Sequence, residues 1–286
     1  MQHRFPHLAI FMLALGFPIL EGAATQATSP ANANRWPDQK DVEKMFEFRQ
    51  SSPINQHVRA ALAAEKEQNF RKAIQEWNEV LRLAPQQSAV FFYRGNAFEE
   101  MGDRARAIAD LNEFVRRNPK VAAGWARRGI IHADSGDRKR GLSDCNQALK
   151  LEPRNAFALA LRADIYRLDE KWEAALRDAE RAIQLEPEMG RAYQVKGRVY
   201  FETKRYADAV AAYTKVMQFS PNWPNGMIAR GDAYAASGNY RAALADFRAG
   251  LDRYPSSPRV HDGLAWFLAT CPEAKWRDGP QAVREA

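Results

Sequence analysis

Few residues of this chain are of the kinds that carry out reactions. Of its five histidines, His3 and His7 sit at the extreme N-terminus, leaving His57, His132 and His261, too scattered for a ligand set. No His-Glu-x-x-His pair is present to hold a catalytic zinc, and no Cys-x-x-Cys. A phosphate-cradling glycine loop and a G-x-S-x-G serine turn are also missing. No metal or cofactor is implied, and the chain is not expected to be an enzyme.

What recurs is a pairing of opposite charges. Arg94, Arg128, Arg162 and Arg230 each precede an aspartate by 16 residues, namely Asp110, Asp144, Asp178 and Asp246. A planar guanidinium suits two parallel hydrogen bonds to a carboxylate. The constant offset predicts a structural ladder, with each arginine on a first helix meeting an aspartate on a second helix. Where the acid gives way to Ala212 the base is Lys196, and in the first unit Ala60 faces Glu76. The competing reading is that these arginines bind an acidic ligand. It is weaker, because a residue used identically in every unit serves the frame before it serves a site.

The elements that would position such a ladder follow from a second regularity. Pro85, Pro119, Pro153, Pro187, Pro221 and Pro255 are spaced 34 residues apart. A fixed period of this size marks stacked supersecondary units, none of which buries its apolar face alone. In the unit from Ser88 to Pro119, Ser88 is expected to cap a first helix running to about Glu100. Met101-Gly102-Asp103 turns the chain, and a second helix runs from about Arg104 to Arg117. Small residues recur ten positions after each proline, at Gly95, Gly129, Ala163, Gly197, Gly231 and Ala265. A second small set stands at Ala107, Gly141, Ala175, Ala209 and Ala243, and these two sets are where paired helices should touch. Phe98, Tyr166, Tyr200 and Tyr234 are bulky at one recurring position, where His132 stands in as a packed core histidine. Cys145 and Cys271 fall several units apart, so a bridge is not expected and Cys145 reads as a small core residue.

With bulky residues at Phe91, Trp125 and Tyr193, this pattern resembles the tetratricopeptide repeat family from Ile54 nearly to the C-terminus, as six full repeats and part of a seventh. The resemblance implies an all-α, right-handed superhelical solenoid of antiparallel helix pairs. Its concave groove, lined by first helices, would bind a peptide or a partner's helix. Groove candidates, set by their phase against the small glycine, are Phe92, Asn96 and Glu99, then Asp164 and Arg167, then Arg191, Gln194, Arg198 and Phe201, then Asp232 and Trp266. Arg167, Arg191 and Arg198 would form a basic patch beside Phe201, suited to a peptide with an acidic group. The lysine and asparagine clamp by which some members hold a C-terminal carboxylate is not found, the corresponding positions being Val58, Leu62, Tyr93, Ala123 and Arg127. Leu264 to Pro272, followed by Arg277-Asp278-Gly279, resembles a terminal variant with a lengthened turn. A full second helix is expected after it, and the short remainder leaves a face for a partner to cover or marks the chain as a piece of a longer one.

The termini and composition bound the setting. Residues 1–24 read as a secretory signal, with Arg4 ahead of an apolar stretch from Leu8 to Leu20 and small residues at Gly22-Ala23-Ala24. Residues 25–53 form a linker in which a short helix is expected from about Asp38 to Arg49, and 54–286 form the array. No stable membrane span is expected after signal cleavage. With 46% apolar and 27% charged residues the chain has a folded composition, and its net charge of +7 is spread among 35 acids. The function expected is an exported, periplasmic or secreted scaffold that binds a protein or peptide. The alternatives are a structural subunit of an envelope or secretion assembly and a helical repeat that binds nucleic acid. An exported N-terminus and the absence of a basic run argue against the last.

Overall fold

The computed structural model of the chain describes residues 53–219 and 225–285. The segment 1–24, the linker with its expected helix and Pro221 lie outside them. The described residues are all-α, as successive pairs of first and second helices. These are α1 (Pro53–Lys66) with α2 (Phe70–Leu83), α3 (Ala89–Glu100) with α4 (Arg104–Arg117), and α5 (Ala122–Asp134) with α6 (Arg138–Leu151). There follow α7 (Ala156–Leu168), α8 (Trp172–Leu185), α9 (Gly190–Glu202) with α10 (Tyr206–Phe219), and α11 (Asn225–Ala236) with α12 (Tyr240–Arg253). Last come α13 (Pro258–Thr270), a 3₁₀ turn at Ala274–Trp276, and α14 (Gly279–Glu285). Two compact units divide within α7, one running to Ile165 and the other beginning at Tyr166. In each, a helix packs on its own partner and on the next pair.

Local chemistry sets these boundaries. Each of α2, α4, α6, α8 and α12 stops two residues before a proline. The proline ring bars the α conformation to the residue ahead of it. Ala84, Asn118, Glu152, Glu186 and Tyr254 accordingly have ψ between 60° and 90°. At the other end, Asn69, Asp103, Asp137 and Asn239 accept the backbone N–H of Lys72, Arg106, Arg140 and Ala242. These bonds satisfy orphan donors of the first turn. Ser88 departs from its expected capping role: it has helical φ and ψ, and its hydroxyl donates to Asn118 Oδ1 at 3.3 Å instead.

The turn inside each pair needs a left-handed residue. Gly102, Gly136 and Gly238 supply it with φ of 78°, 85° and 82°, but Gln68, Glu170 and Lys204 hold φ of 59°, 57° and 61° at the equivalent places. The small residues lie where helices approach. A Cβ on Gly129 would stand 3.1 Å from Asp144 Cβ and 3.2 Å from the Gly141 carbonyl oxygen, and one on Gly141 would stand 3.0 Å from the Gly129 carbonyl. Around these contacts Trp77, Phe92, Tyr93, Phe114 and Leu111 fill the first unit, while Phe247, Phe267, Leu264 and Val260 fill the C-terminal end of the second. Cys145 and Cys271 are both buried and free.

The fourth pair lacks both turn devices, since Glu170 takes the left-handed place and Lys171 makes no cap. Lys171→Asp should therefore stabilise the fold by about 1 kcal/mol. The expected readout is a thermal midpoint raised by roughly 2–4 °C, with an unchanged helical circular dichroism spectrum.

Candidate functional site

The arginines meet the aspartates in the geometry of a fork. Arg94 donates from Nε and Nη2 to the two oxygens of Asp110, both at 2.7 Å. Arg128 does the same to Asp144 at 2.8 and 2.7 Å, and Arg230 to Asp246 at 2.7 Å twice. The hydrogen bonds hold the Arg230 guanidinium above its ordinary pKa. Each arginine has a further donor, and it reaches backwards. Nη1 of Arg94, Arg128, Arg162 and Arg230 donates to Asn78, Asn112, Asn146 and Thr214, the side chain 16 residues earlier on the preceding second helix. Lys196 follows the same backward route to Glu180 at 3.0 Å. This second row was readable at the 34-residue spacing, but lone asparagines carry no chemistry that draws attention to them. Glu76, at the acid's place in the first pair, meets His57 at 2.6 Å, one turn before Ala60 on α1. His132 is buried beside Asp144, and burial holds its imidazole below the usual histidine range. Asp178 stands at the equivalent place of α8 in the second unit.

Within the first unit the expected groove set divides. Phe92 is 1% exposed and packs against the rings of Tyr93 and Phe114. This corrects its placement in the groove: it projects from α3 towards its partner α4, where an apolar ring belongs in the core. Asn96 and Glu99 lie half-buried and are already engaged by the next first helix, Arg127 Nε donating to Asn96 at 2.8 Å and Nη2 lying 3.6 Å from Glu99. Asp164 is half-buried on α7. Glu65 was not anticipated. Burial against Trp77, whose Nε1 donates to it at 2.8 Å, pushes its carboxyl up to about 7.

In the second unit one arginine of the expected basic patch meets an acid. Arg167 donates to Glu202 at 2.7 Å, an acid 35 residues away. Burial pushes the Tyr213 hydroxyl up to about 12, with the charges of Arg198, Glu202, Asp232 and Arg167 acting on it in opposing directions. Arg191 and Gln194 are half-buried on α9. Gln194 occupies the position equivalent to Phe92, on the row that turns inward.

The residues that do line a cavity are further along. A cleft of about 1140 Å³ is walled by Phe201 of α9, Asp232 and Ala235 of α11, Trp266 and Ala269 of α13, and Val283 of α14. Trp266 is 72% exposed and Val283 80%. Asp232 and Trp266 occupy equivalent places one repeat apart, as do Phe201, Ala235 and Ala269, so two rows of first-helix positions form the wall. Asp232 accepts no hydrogen bond from any described residue. Burial pushes its carboxyl up to about 6, and the charge of Arg259 pulls only weakly the other way. No group of three metal-binding side chains occurs among the described residues, and none of their helices is long and apolar enough to cross a membrane.

Two outcomes follow. Arg128→Ala strips the buried Asp144 of its fork and should destabilise the fold by about 3–5 kcal/mol, with Arg128→Ala/Asp144→Ala recovering part of the loss in urea titrations. Asp232 behaves in the opposite sense. Its folded pKa lies above the unfolded value of 3.8, so its contribution is present below that value and is lost as pH rises through about 6. Asp232→Asn should thus raise the melting temperature at pH 8 and leave it unchanged near pH 3.5.

Comparison with curated protein sequences returns no match. Among solved structures, PilW, a widely conserved type IV pilus biogenesis factor, superposes with a TM-score of 0.64 at 15% identity, over 74% of this chain and 98% of PilW. A tetratricopeptide repeat protein from Parabacteroides merdae gives 0.63 at 14% identity, over 81% of this chain and 90% of its own. The Cut9-Hcn1 hetero-tetramer of APC/C gives 0.70 at 15% identity, over 79% of this chain and 44% of its own. At such identities the likeness is one of fold. Profiles described as tetratricopeptide repeat match residues 58–120, 94–156 and 161–224, and another matches 224–267. With most of its length matched in this way, and with helix pairs that keep the same period, the chain belongs to the tetratricopeptide repeat family.

Proposed function

We propose that this chain is an exported scaffold that binds a peptide or a segment of a partner protein in the cleft of its second unit. A repeat fold of helix pairs supports a role in protein–protein interaction. The observation that carries the finer reading is the cleft itself. Its volume exceeds the roughly 300–1,000 Å³ of common small-molecule pockets, and it stays open to solvent with an indole exposed in its wall. A large apolar side chain in an open concavity is the usual anchor of a protein contact, because burying it against a partner removes apolar area from water. Reaction chemistry has no comparable support: Arg94, Arg128 and Arg230 are saturated by their own acids, and the two acids whose carboxyls burial pushes up, Glu65 and Asp232, lie in different units. Export rests on the sequence of residues 1–24, whose charged start, apolar stretch and small residues have the pattern of a cleaved leader.

The test is placement of a photo-reactive benzoylphenylalanine at Trp266 and, separately, at the exposed Arg181 on a second helix. Irradiation in cells should yield a discrete crosslinked protein in the envelope fraction from position 266 and none from 181. Equal crosslinking from both positions, or none from 266, would count against the cleft.

A further inference from the structure

We propose, on the footing that the cleft binds a peptide, that it selects a segment carrying a lysine or arginine flanked by apolar residues, and that Asp232 is the group receiving the positive charge. The carboxylates that pair elsewhere in the chain show what Asp232 lacks. Asp110, Asp144 and Asp246 are each forked by an arginine, Glu202 is met by Arg167, and Glu99 has Arg127 at 3.6 Å. An ionised carboxylate is an acceptor only. Asp232 accepts nothing from the described residues, although it lines the wall of a cleft whose lining includes the apolar Phe201, Ala235, Ala236 and Trp266. A buried charge without a partner is unfavourable in the free protein, and an incoming ammonium or guanidinium would offset it with a charge-assisted hydrogen bond.

The walls suit such a side chain in two ways. The aliphatic stem of a lysine or arginine packs against apolar surface while its head remains polar, and the exposed ring of Trp266 offers a face to the cation. Charge complementarity points the same way. The charged side chains lining the cleft are Asp232, Asp262 and Arg259, so acids outnumber bases. Arg259 lowers the pKa of Asp232 through its field but makes no ion pair with it. On the α9 and α10 side, the fields of Arg198, Glu202 and Asp232 all reach Tyr213, and Glu202 is occupied by Arg167. Of the two aspartates in the lining Asp262 is exposed to water, so Asp232 is the partly buried acceptor left for a ligand.

A phage library of random dodecapeptides, selected in parallel on the full chain and on Asp232→Asn, Asp232→Lys and Trp266→Ala variants, tests this directly. Thermal melting of each variant establishes that it folds. The wild-type pool should converge on a basic residue beside apolar ones. A synthetic consensus peptide should bind Asp232→Asn at least about tenfold more weakly, and the pool from Asp232→Lys should exchange the basic residue for an acidic one. A wild-type pool without a basic position, or a consensus peptide indifferent to Asp232→Asn, overturns the assignment. If such peptides still lose binding to Trp266→Ala, cleft binding stands and only the charge selection fails. If no pool converges on the wild type, or binding ignores Trp266, the cleft reading falls as well.

Discussion

In three repeats a single guanidinium, that of Arg94, Arg128 or Arg230, ties a helix pair to itself and to the pair before it. Arg128 shows the arrangement: Nε and Nη2 hold Asp144 on the partner helix, Nη1 holds Asn112 on the preceding second helix, and the ring of Trp125 lies 4.9 Å below. Three donors meet three acceptors, so desolvation of both charges is offset within the protein. That geometry depends on how closely the helices approach. The residue after Arg94, Arg128 and Arg230 is glycine, and the Cβ of Asp110 or Asp144 fits within 3.4 or 3.1 Å of where a glycine's own Cβ would be. A larger residue there would push the aspartate out of the arginine's reach. The small-residue rows and the charge ladder are thus one constraint, since the first makes the second attainable.

The repeat in which the ladder changes shows the same dependence. Lys196 has Ala212 where the acid would be, and it keeps only the backward contact to Glu180. The space beside Gly197 is taken by the ring of Tyr213, whose Cε1 would lie 2.5 Å from an added Cβ. Gly197 is required there by an aromatic ring, where Gly129 is required by an aspartate and a carbonyl. Tyr213 holds the place that Phe247 holds beside Gly231, where the fork of Arg230 and Asp246 is kept, so the loss of the fork lies in Ala212 alone.

Local and periodic features were legible in the sequence. The second helix predicted at Arg104–Arg117 has those bounds, because Asp103 and Pro119 act on their immediate neighbours. Features that depend on a side chain brought from another repeat were not. Phe92 has the phase of a groove residue only if the opposing ring of Phe114 is ignored. The basic patch at Arg167 and Arg198 disregarded Glu202, which a turn of α9 carries to Arg167. Glu65 reads as one more surface acid until the indole of Trp77 is placed against it. Net charge and spacing describe positions, whereas pairing and burial are properties of faces that meet.

A repeat array separates these two roles by position. Residues that recur in phase, such as the arginines and the glycines beside them, hold the frame and are saturated by their partners. Positions on the open face are released from that duty. One row runs Asn96, Ile130, Asp164, Arg198, Asp232 and Trp266 at the 34-residue spacing, and its members differ in charge, size and burial. Asn96 is taken up by Arg127, so its place serves the frame after all. Asp232 and Trp266 are not taken up, and each is unfavourable where it stands, one as a partly buried acid without a donor and the other as an exposed indole. Two such residues on adjacent first helices, lining one cleft, lower the stability of the free protein for no structural return. A partner that supplies a donor to the one and an apolar cover to the other would remove both deficits together, which makes that pair of residues the point at which fold and function diverge.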